Sequence, residues 1–94
     1  MQRDIHNELQ RRAQRVLPRG VYGHESTLLL PDSYPQFFSK AEGAYLWDAD
    51  GNKYLDFMCA YGPNLLGYGD PRVNQAAIDQ LHRGDTMTGP SPLM

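Results

Sequence analysis

The chain has little cysteine, little lysine and no long apolar run, and these shortages exclude several classes of protein. Its one cysteine, Cys59, cannot form an internal disulfide, and no cluster of cysteine and histidine exists. A disulfide-stapled scaffold and a structural zinc site are therefore excluded. The longest aliphatic run is Leu28–Leu30, whereas a membrane span needs ~18 apolar residues. A chain of 94 residues forms one small soluble domain at most. We expect a reducing, cytoplasmic setting and no membrane partner.

Positive charge is concentrated at the start of a chain whose net charge is only −2. Residues 1–20 hold five arginines and two acids, which gives +3 there and −5 in the remainder. The segment is nearly free of serine and threonine and lacks interleaved aromatic residues, which disfavours both a transit peptide and a nucleic-acid-binding arm. We expect the arginines to form a solvated helix face and predict no nucleic-acid partner.

The residue pattern divides the chain into three segments. Residues 1–20 predict an amphipathic helix that ends at Pro18, and residues 21–43 predict an extended connector. Residues 44–94 predict a β-hairpin, a glycine-rich loop and a second helix. The apolar face of the first helix is expected to consist of Ile5, Leu9, Ala13, Val16 and Leu17.

The hairpin and the second helix have clear local signals. Asp50-Gly51 lies between two runs rich in aromatic residues, 44–48 and 53–57, and glycine supplies the positive φ that such a turn requires. Asp70-Pro71 has the form of an N-cap followed by proline at the first helical position. The helix is expected to bury Val73, Ala76, Ala77 and Leu81 and to end at Gly84.

The polar residues form no complete catalytic or metal-binding set. Asp48-x-Asp50-x-Asn52 resembles the start of a calcium loop, but Lys53 stands where the loop needs glycine and Cys59 where it needs glutamate. We therefore predict no metal site. Lys53 in the hairpin turn and Lys40 in a predicted polar loop do not resemble the desolvated amine of Schiff-base chemistry.

Other suggestive residues receive structural interpretations. Gly67-Tyr68-Gly69 predicts a turn where backbone segments pass closely rather than a dinucleotide site. The histidines are expected on surfaces or helix faces, and Cys59 is expected as a packed thiol.

Two helices and one hairpin offer too little sheet to enclose a core, so we expect the chain to be part of something larger.

Two runs carry a resemblance to a known family. They are Gly43–Phe57, with Trp47-Asp48-Ala49-Asp50-Gly51 at its centre, and Gly62–Val73, which continues through the glycine-rich loop. Together they resemble the N-terminal region of class III pyridoxal-phosphate-dependent aminotransferases, and most of all the glutamate-1-semialdehyde 2,1-aminomutase-like branch. Residues 13–21 resemble the first helix of that branch and its exit, with Arg19 in place of a glycine.

The resemblance implies an N-terminal segment of an α/β, fold type I transferase that is not a complete domain. It implies a pyridoxal 5'-phosphate cofactor, a homodimer, and an amino donor and a carbonyl acceptor as small-molecule partners. The Schiff-base lysine of the family would lie outside this chain, so the resemblance assigns no catalytic or cofactor-binding residue here. We expect the 94 residues alone to be inactive.

The resemblance also implies three substrate-binding positions. Tyr61 matches the place where relatives have a tryptophan that walls the substrate pocket, and Gly62 would let the backbone approach the ligand. Ser26 stands where relatives that bind a substrate carboxylate have an arginine. This favours an aminotransferase that acts on another amino acid or an amine. The alternatives are a glutamate-1-semialdehyde 2,1-aminomutase and a truncated, non-catalytic interaction module.

Overall fold

The computed structural model describes residues 1–20, 30–89 and 92. Their elements, in chain order, are α1 (Asp4–Val16), β1 (Phe38–Glu42), β2 (Tyr45–Asp48), β3 (Lys53–Leu55) and α2 (Pro71–Arg83). Short 3-10 turns lie at Pro18–Gly20 and Cys59–Tyr61. The division of the chain into segments at residues 20 and 43 stays a prediction. Within the described residues, no helix has the length and apolarity that a membrane crossing requires.

The sheet has three antiparallel strands in the order β1-β2-β3, one more than the sequence predicted. The predicted hairpin is confirmed as β2 and β3, with Gly51 at φ 83° in the turn. Residues 38–42 were assigned to the connector, and Lys40 to a polar loop, but they form strand β1. The polar sequence of this edge strand and a bulge between Phe38 and Lys40 hide the alternation that marks a strand.

The carboxylate of Asp48 organises the turn between β2 and β3. Its side chain accepts hydrogen bonds from the backbone N–H groups of Asp50 (3.0 Å) and Asn52 (2.8 Å), from Asn52 Nδ2 (2.9 Å) and from the Tyr54 hydroxyl (2.8 Å). Only 2% of Asp48 is exposed. Burial alone would raise the pKa of Asp48, but the hydrogen bonds from Asn52 and Tyr54 outweigh it and lower the pKa.

The same turn holds the start of α1. Asp50 accepts hydrogen bonds from the backbone N–H groups of Ile5 and His6, both at 2.8 Å, so a residue 44 positions away caps the helix. On the other side, the Arg3 guanidinium donates to the carbonyl oxygens of Asp32 (3.1 Å) and Ser33 (2.9 Å). These contacts tie the first helix to the sheet through polar groups.

His6 lies on a face of α1, one of the two positions predicted for the histidines, and its side chain is buried rather than on the surface. It is 4% exposed and lies edge-on to Phe37, with 5.5 Å between ring centroids. Arg3 Nη2 lies 2.8 Å from His6 Nε2, so the neutral ring accepts a hydrogen bond from the guanidinium. Burial and the charge of Arg3 lower the pKa of His6.

The predicted apolar faces of the two helices are largely uncovered. In α1 only Ala13 of the expected set is buried, while Val16 is 70% exposed. In α2, whose predicted limits at Pro71 and Gly84 are confirmed, Val73 and Leu81 are 54% and 59% exposed. The prediction that the apolar face of α2 is buried is wrong for this chain. The described residues do not supply the surfaces against which the faces would pack.

Two backbone segments pass closely at the glycine-rich loop, as the sequence predicted, and this contact lies at the other end of the sheet. Gly43 and Tyr68 exchange two backbone hydrogen bonds, at 2.8 and 2.9 Å. Gly67 has φ 82°, and a Cβ atom placed on it would lie 3.0 Å from the carbonyl oxygen of Gly43. Glycine is therefore required at this position for two independent reasons, the backbone conformation and the close approach.

We predict that Gly67→Ala destabilises the longer protein implied by the resemblance more than Gly69→Ala does. Both glycines have positive φ, but a Cβ atom on Gly69 meets nothing within 4 Å. Gly69→Ala should cost about 1 to 2 kcal/mol for the strained backbone, and Gly67→Ala about 1 to 3 kcal/mol more for the clash. The measurement is the free energy of unfolding in urea. Equal losses in the two variants would contradict the close approach of Gly67 to Gly43.

We also predict a pH dependence that originates at His6. Because its pKa in the folded chain is lowered from 6.5, the unfolded state binds the proton more tightly. The stability that the neutral ring contributes is present above pH 6.5 and is lost as the pH falls through the folded-state pKa. Protonation places a cation beside Arg3, although Asp50 and Asp48 attenuate the effect. His6→Gln, which does not titrate, should unfold with a shallower pH dependence below 6.5 in denaturant titrations. Identical pH profiles would count against this role.

Candidate functional site

The backbone after β3 forms a left-handed turn. Cys59, Ala60 and Tyr61 have φ values of 51°, 51° and 62°, and Gly62 follows at 107°. For residues other than glycine this conformation costs roughly 1 to 2 kcal/mol each. Three such residues in succession therefore store strain, and strained backbone of this kind clusters at active sites and ligand clamps.

Asp56 holds the turn through its side chain. Its carboxylate accepts hydrogen bonds from the backbone N–H groups of Met58 (2.8 Å) and Cys59 (3.2 Å). The same carboxylate accepts a hydrogen bond from the Tyr68 hydroxyl at 2.8 Å. Because the backbone of Tyr68 pairs with Gly43, this contact connects the turn to the end of the sheet. Asp56 thus has partners on both sides, in the turn and in the glycine-rich loop.

The titration of this pair follows its hydrogen bond. The bond from Tyr68 lowers the pKa of Asp56, and the backbone N–H groups of Met58 and Cys59 add to the effect against the opposing effect of burial. The same bond raises the pKa of Tyr68, with burial and the charge of Asp56 as further causes. Asp56 is therefore an anion, and Tyr68 a neutral donor, at neutral pH.

An open cleft of about 260 Å³ lies between this turn and one face of the sheet. Its lining is mainly apolar and aromatic, and it includes Tyr34, Phe38, Leu46, Asp56, Tyr61 and Tyr68. Gln36 also lines the cleft, and its Oε1 atom is buried with no hydrogen-bond partner in the described part of the chain. Aromatic walls with a few polar atoms are typical of small-molecule sites.

Both lysines lie on the opposite face of the sheet from this cleft. Lys40 and Lys53 are each paired in register with Trp47, whereas its neighbour Leu46 faces the cleft. Lys40 Nζ contacts the Glu42 carboxylate at 2.7 Å, and Lys53 Nζ lies 3.8 Å from the centre of the Tyr45 ring. Neither amine is placed to form a Schiff base with a cofactor in the cleft, so the residues of this chain do not by themselves fit pyridoxal phosphate.

Two of the three predicted site residues, the sequence neighbours Tyr61 and Gly62, lie in the left-handed turn. Tyr61 lines the cleft and is 64% exposed, and Gly62 follows it in the same turn. Nothing lies within 4 Å of a Cβ atom on Gly62, so its need for glycine comes from its φ value. Ser26 lies outside the described residues. Cys59 is exposed, which corrects the prediction of a packed thiol.

Asp56 and Tyr68 were missed as site residues because nothing in their spacing marks them as partners. The one local signal was the aspartate itself, because an aspartate side chain often accepts a hydrogen bond from the backbone N–H two residues later, here that of Met58. The hydroxyl of Tyr68 comes from 12 residues away and depends on the tertiary path of the glycine-rich loop.

Comparison with known proteins gives a consistent picture. The family model for class III aminotransferases matches residues 30–89. The chain is 60% identical over 87 residues to the aminopentol aminotransferase of Sphingopyxis macrogoltabida, a match that covers 93% of this chain and 21% of that protein. It is 40% identical over 93 residues to the glutamate-1-semialdehyde 2,1-aminomutase of Thermus thermophilus, covering 99% of this chain and 22% of that one.

A solved structure shares the fold. The pyridoxal-phosphate internal aldimine form of the FumI protein of Sphingopyxis sp. MTA144 superposes with a TM-score of 0.82 at 59% identity, over 94% of this chain and 21% of that one. The chain thus spans about one fifth of the length of the relatives that it matches, and its α/β architecture is that of one segment of such a transferase. The family match over residues 30–89, more than half of the chain, shows that this protein belongs to the class III aminotransferases.

Proposed function

We propose that this chain is the N-terminal part of a pyridoxal-phosphate-dependent aminotransferase that moves an amino group from an amino donor to a carbonyl acceptor. The observation that carries the proposal is the 60% identity, over 93% of the chain, with a relative named as an aminotransferase. We propose that the enzyme is a cytoplasmic homodimer and that its Schiff-base lysine lies outside these 94 residues. The bound cofactor supplies an electron sink for bond cleavage at the amino-bearing carbon of the substrate.

Within this enzyme, Tyr61 is proposed to form one wall of the substrate pocket. Its exposed side chain and its place on the cleft support this role. The strained turn fixes the backbone beneath Tyr61, so the ring projects from a defined position. Gly62 is proposed to permit the backbone to run close to the substrate, and Ser26 to lie at the same pocket.

The proposed substrate is an amine that carries hydroxyl groups. The first support is the name of the 60% identical relative, since an aminopentol is an amine with five hydroxyl groups. The second is Ser26, which by the resemblance occupies the place of a carboxylate-binding arginine, and a serine cannot form that ion pair. The third is the cleft, where the buried Oε1 atom of Gln36, which has no partner in the described part of the chain, suits a hydrogen-bond donor better than a substrate carboxylate.

Two other functions make different predictions about products. An aminomutase, the function named for the relative that is 40% identical, converts a single substrate to its isomer. A non-catalytic module that docks on a full-length aminotransferase would convert nothing. The higher identity with the aminotransferase favours intermolecular transfer.

The experiment is product analysis with the full-length enzyme, an amino alcohol as donor and an α-keto acid as acceptor. We expect the donor to become a carbonyl compound while one equivalent of amino acid forms from the acceptor. Omitting the acceptor should stop the reaction after a single turnover. Conversion of glutamate-1-semialdehyde to its isomer without an acceptor would establish the aminomutase. No conversion of either substrate would contradict both the proposed aminotransferase and the aminomutase.

Tyr61→Ala should reduce the turnover of the full-length enzyme much more than its stability. Because Tyr61 is 64% exposed, we expect its truncation to change the free energy of unfolding by less than about 1 kcal/mol. Loss of a pocket wall should lower kcat/KM by about tenfold or more. Tyr61→Phe, which keeps the ring, is the matched control and should retain most of the activity. Unchanged kinetics in Tyr61→Ala would remove this residue from the site.

A further inference from the structure

The left-handed turn has one side-chain anchor whose contacts reach both the turn and the loop that follows it. Oδ1 of Asp56 accepts the Met58 N–H at 2.8 Å, and Oδ2 accepts the Cys59 N–H at 3.2 Å. Oδ2 also accepts the Tyr68 hydroxyl at 2.8 Å. A carboxylate can accept all of these bonds at once because each oxygen has two lone pairs.

The strain in the turn requires such an anchor. Cys59, Ala60 and Tyr61 have positive φ without being glycine, and residues in this conformation persist only where their surroundings over-determine it. Within the described residues, Met58 and Cys59 at the entry to the turn are exposed, so hydrogen bonds rather than a packed core hold the backbone there. The hydrogen bonds of Asp56 lie at the entry to the turn, because they hold the N–H of Met58, one residue before the strained segment, and the N–H of Cys59, its first residue. They set the direction in which the chain enters it.

Tyr68 in turn fixes Asp56 to the sheet. Its backbone exchanges two hydrogen bonds with Gly43 at the tight turn between β1 and β2. A continuous series of contacts therefore runs from Gly43 through Tyr68 and Asp56 to the turn that carries Tyr61. Both Asp56 and Tyr68 also line the cleft, so the anchor lies beside the group that it holds.

We propose that Asp56 is a positioning residue, whose carboxylate, held by Tyr68, fixes the left-handed turn so that the Tyr61 ring forms the wall of the substrate pocket. This inference rests on the pocket role of Tyr61 proposed above. It assigns Asp56 no contact with the reacting atoms. Its effect on catalysis passes through Tyr61 and should vanish when the Tyr61 ring is absent.

The test is a double-mutant cycle between Asp56→Asn and Tyr61→Ala in the full-length holoenzyme. Asparagine keeps one acceptor oxygen, corresponding to the Oδ1 atom that accepts from Met58 at 2.8 Å and from Cys59 at 3.3 Å. It replaces the oxygen that accepts from the Tyr68 hydroxyl and at 3.2 Å from Cys59. In the Tyr61 background, Asp56→Asn should lower kcat/KM for the amine by about tenfold to a hundredfold. In the Tyr61→Ala background it should change kcat/KM by less than about twofold, because coupled residues are not additive. Equal losses in the two backgrounds would overturn the proposal.

Two further variants separate positioning from general damage. Tyr68→Phe removes only the hydroxyl and should act in the same direction as Asp56→Asn, also only when Tyr61 is present. Asp85→Asn is the matched control, because the Asp85 carboxylate accepts the N–H of Thr86 at 2.9 Å but does not line the cleft. It should leave kcat/KM unchanged. Where Asp56→Asn does not fold, Tyr68→Phe completes the same cycle.

A second readout does not depend on activity. With 3-fluorotyrosine placed at position 61 of the full-length protein, the fluorine resonance should shift or broaden in Asp56→Asn and Tyr68→Phe but not in Asp85→Asn. An unchanged resonance in the first two variants would overturn the positioning role. If the wild-type protein shows no amino transfer while the resonance responds as expected, the proposed function fails and the positioning of Tyr61 by Asp56 stands.

Discussion

The buried carboxylate of Asp48 is the interaction on which the rest of the described structure depends. Its four hydrogen bonds close the turn between β2 and β3 and place Asp50 where it caps α1. A buried anion is stable only when its lone pairs are satisfied, and here the backbone and side chain of Asn52 and the hydroxyl of Tyr54 satisfy them. Without that carboxylate, the turn would lose its shape and the first helix would lose its attachment to the sheet.

A second carboxylate repeats this arrangement nearer the cleft. Asp56 comes directly after β3, and Asp48 is the last residue of β2. Each accepts backbone N–H groups of the segment that comes next and a tyrosine hydroxyl from farther along the chain. The first shapes an unstrained hairpin turn, whereas the second holds residues with positive φ. The two carboxylates thus have different roles, since the Asp48 turn attaches helix α1 to the sheet and Asp56 holds the turn that carries Tyr61 at the cleft.

The described residues expose more large apolar side chains than is usual for an independently folded domain. Ala13 is the one buried apolar residue among those described, while Phe57 and Leu65 are 87% and 86% exposed. Hydrophobic burial within the described residues is therefore small, and polar contacts carry the tertiary arrangement. The coverage of about one fifth of the relatives' length agrees with this distribution, because in a larger protein these apolar faces would pack against further elements.

Local signals in the sequence were sufficient for the hairpin turn at Asp50-Gly51, the start of α2 at Asp70 and the close approach at Gly67, and the motif around Trp47 was sufficient for the family. Each depends on residues next to one another, and only the Gly67 contact partner is distant.

The sequence did not predict strand β1, the burial of His6 or the anchoring role of Asp56. These features depend on which segments meet in space. The polar edge strand β1 is defined by its pairing with β2. His6 contacts Arg3 and Phe37, and Asp56 accepts a hydrogen bond from Tyr68, 12 residues away. The sequence determines which side chains can form hydrogen bonds, but the tertiary structure determines which partners they meet.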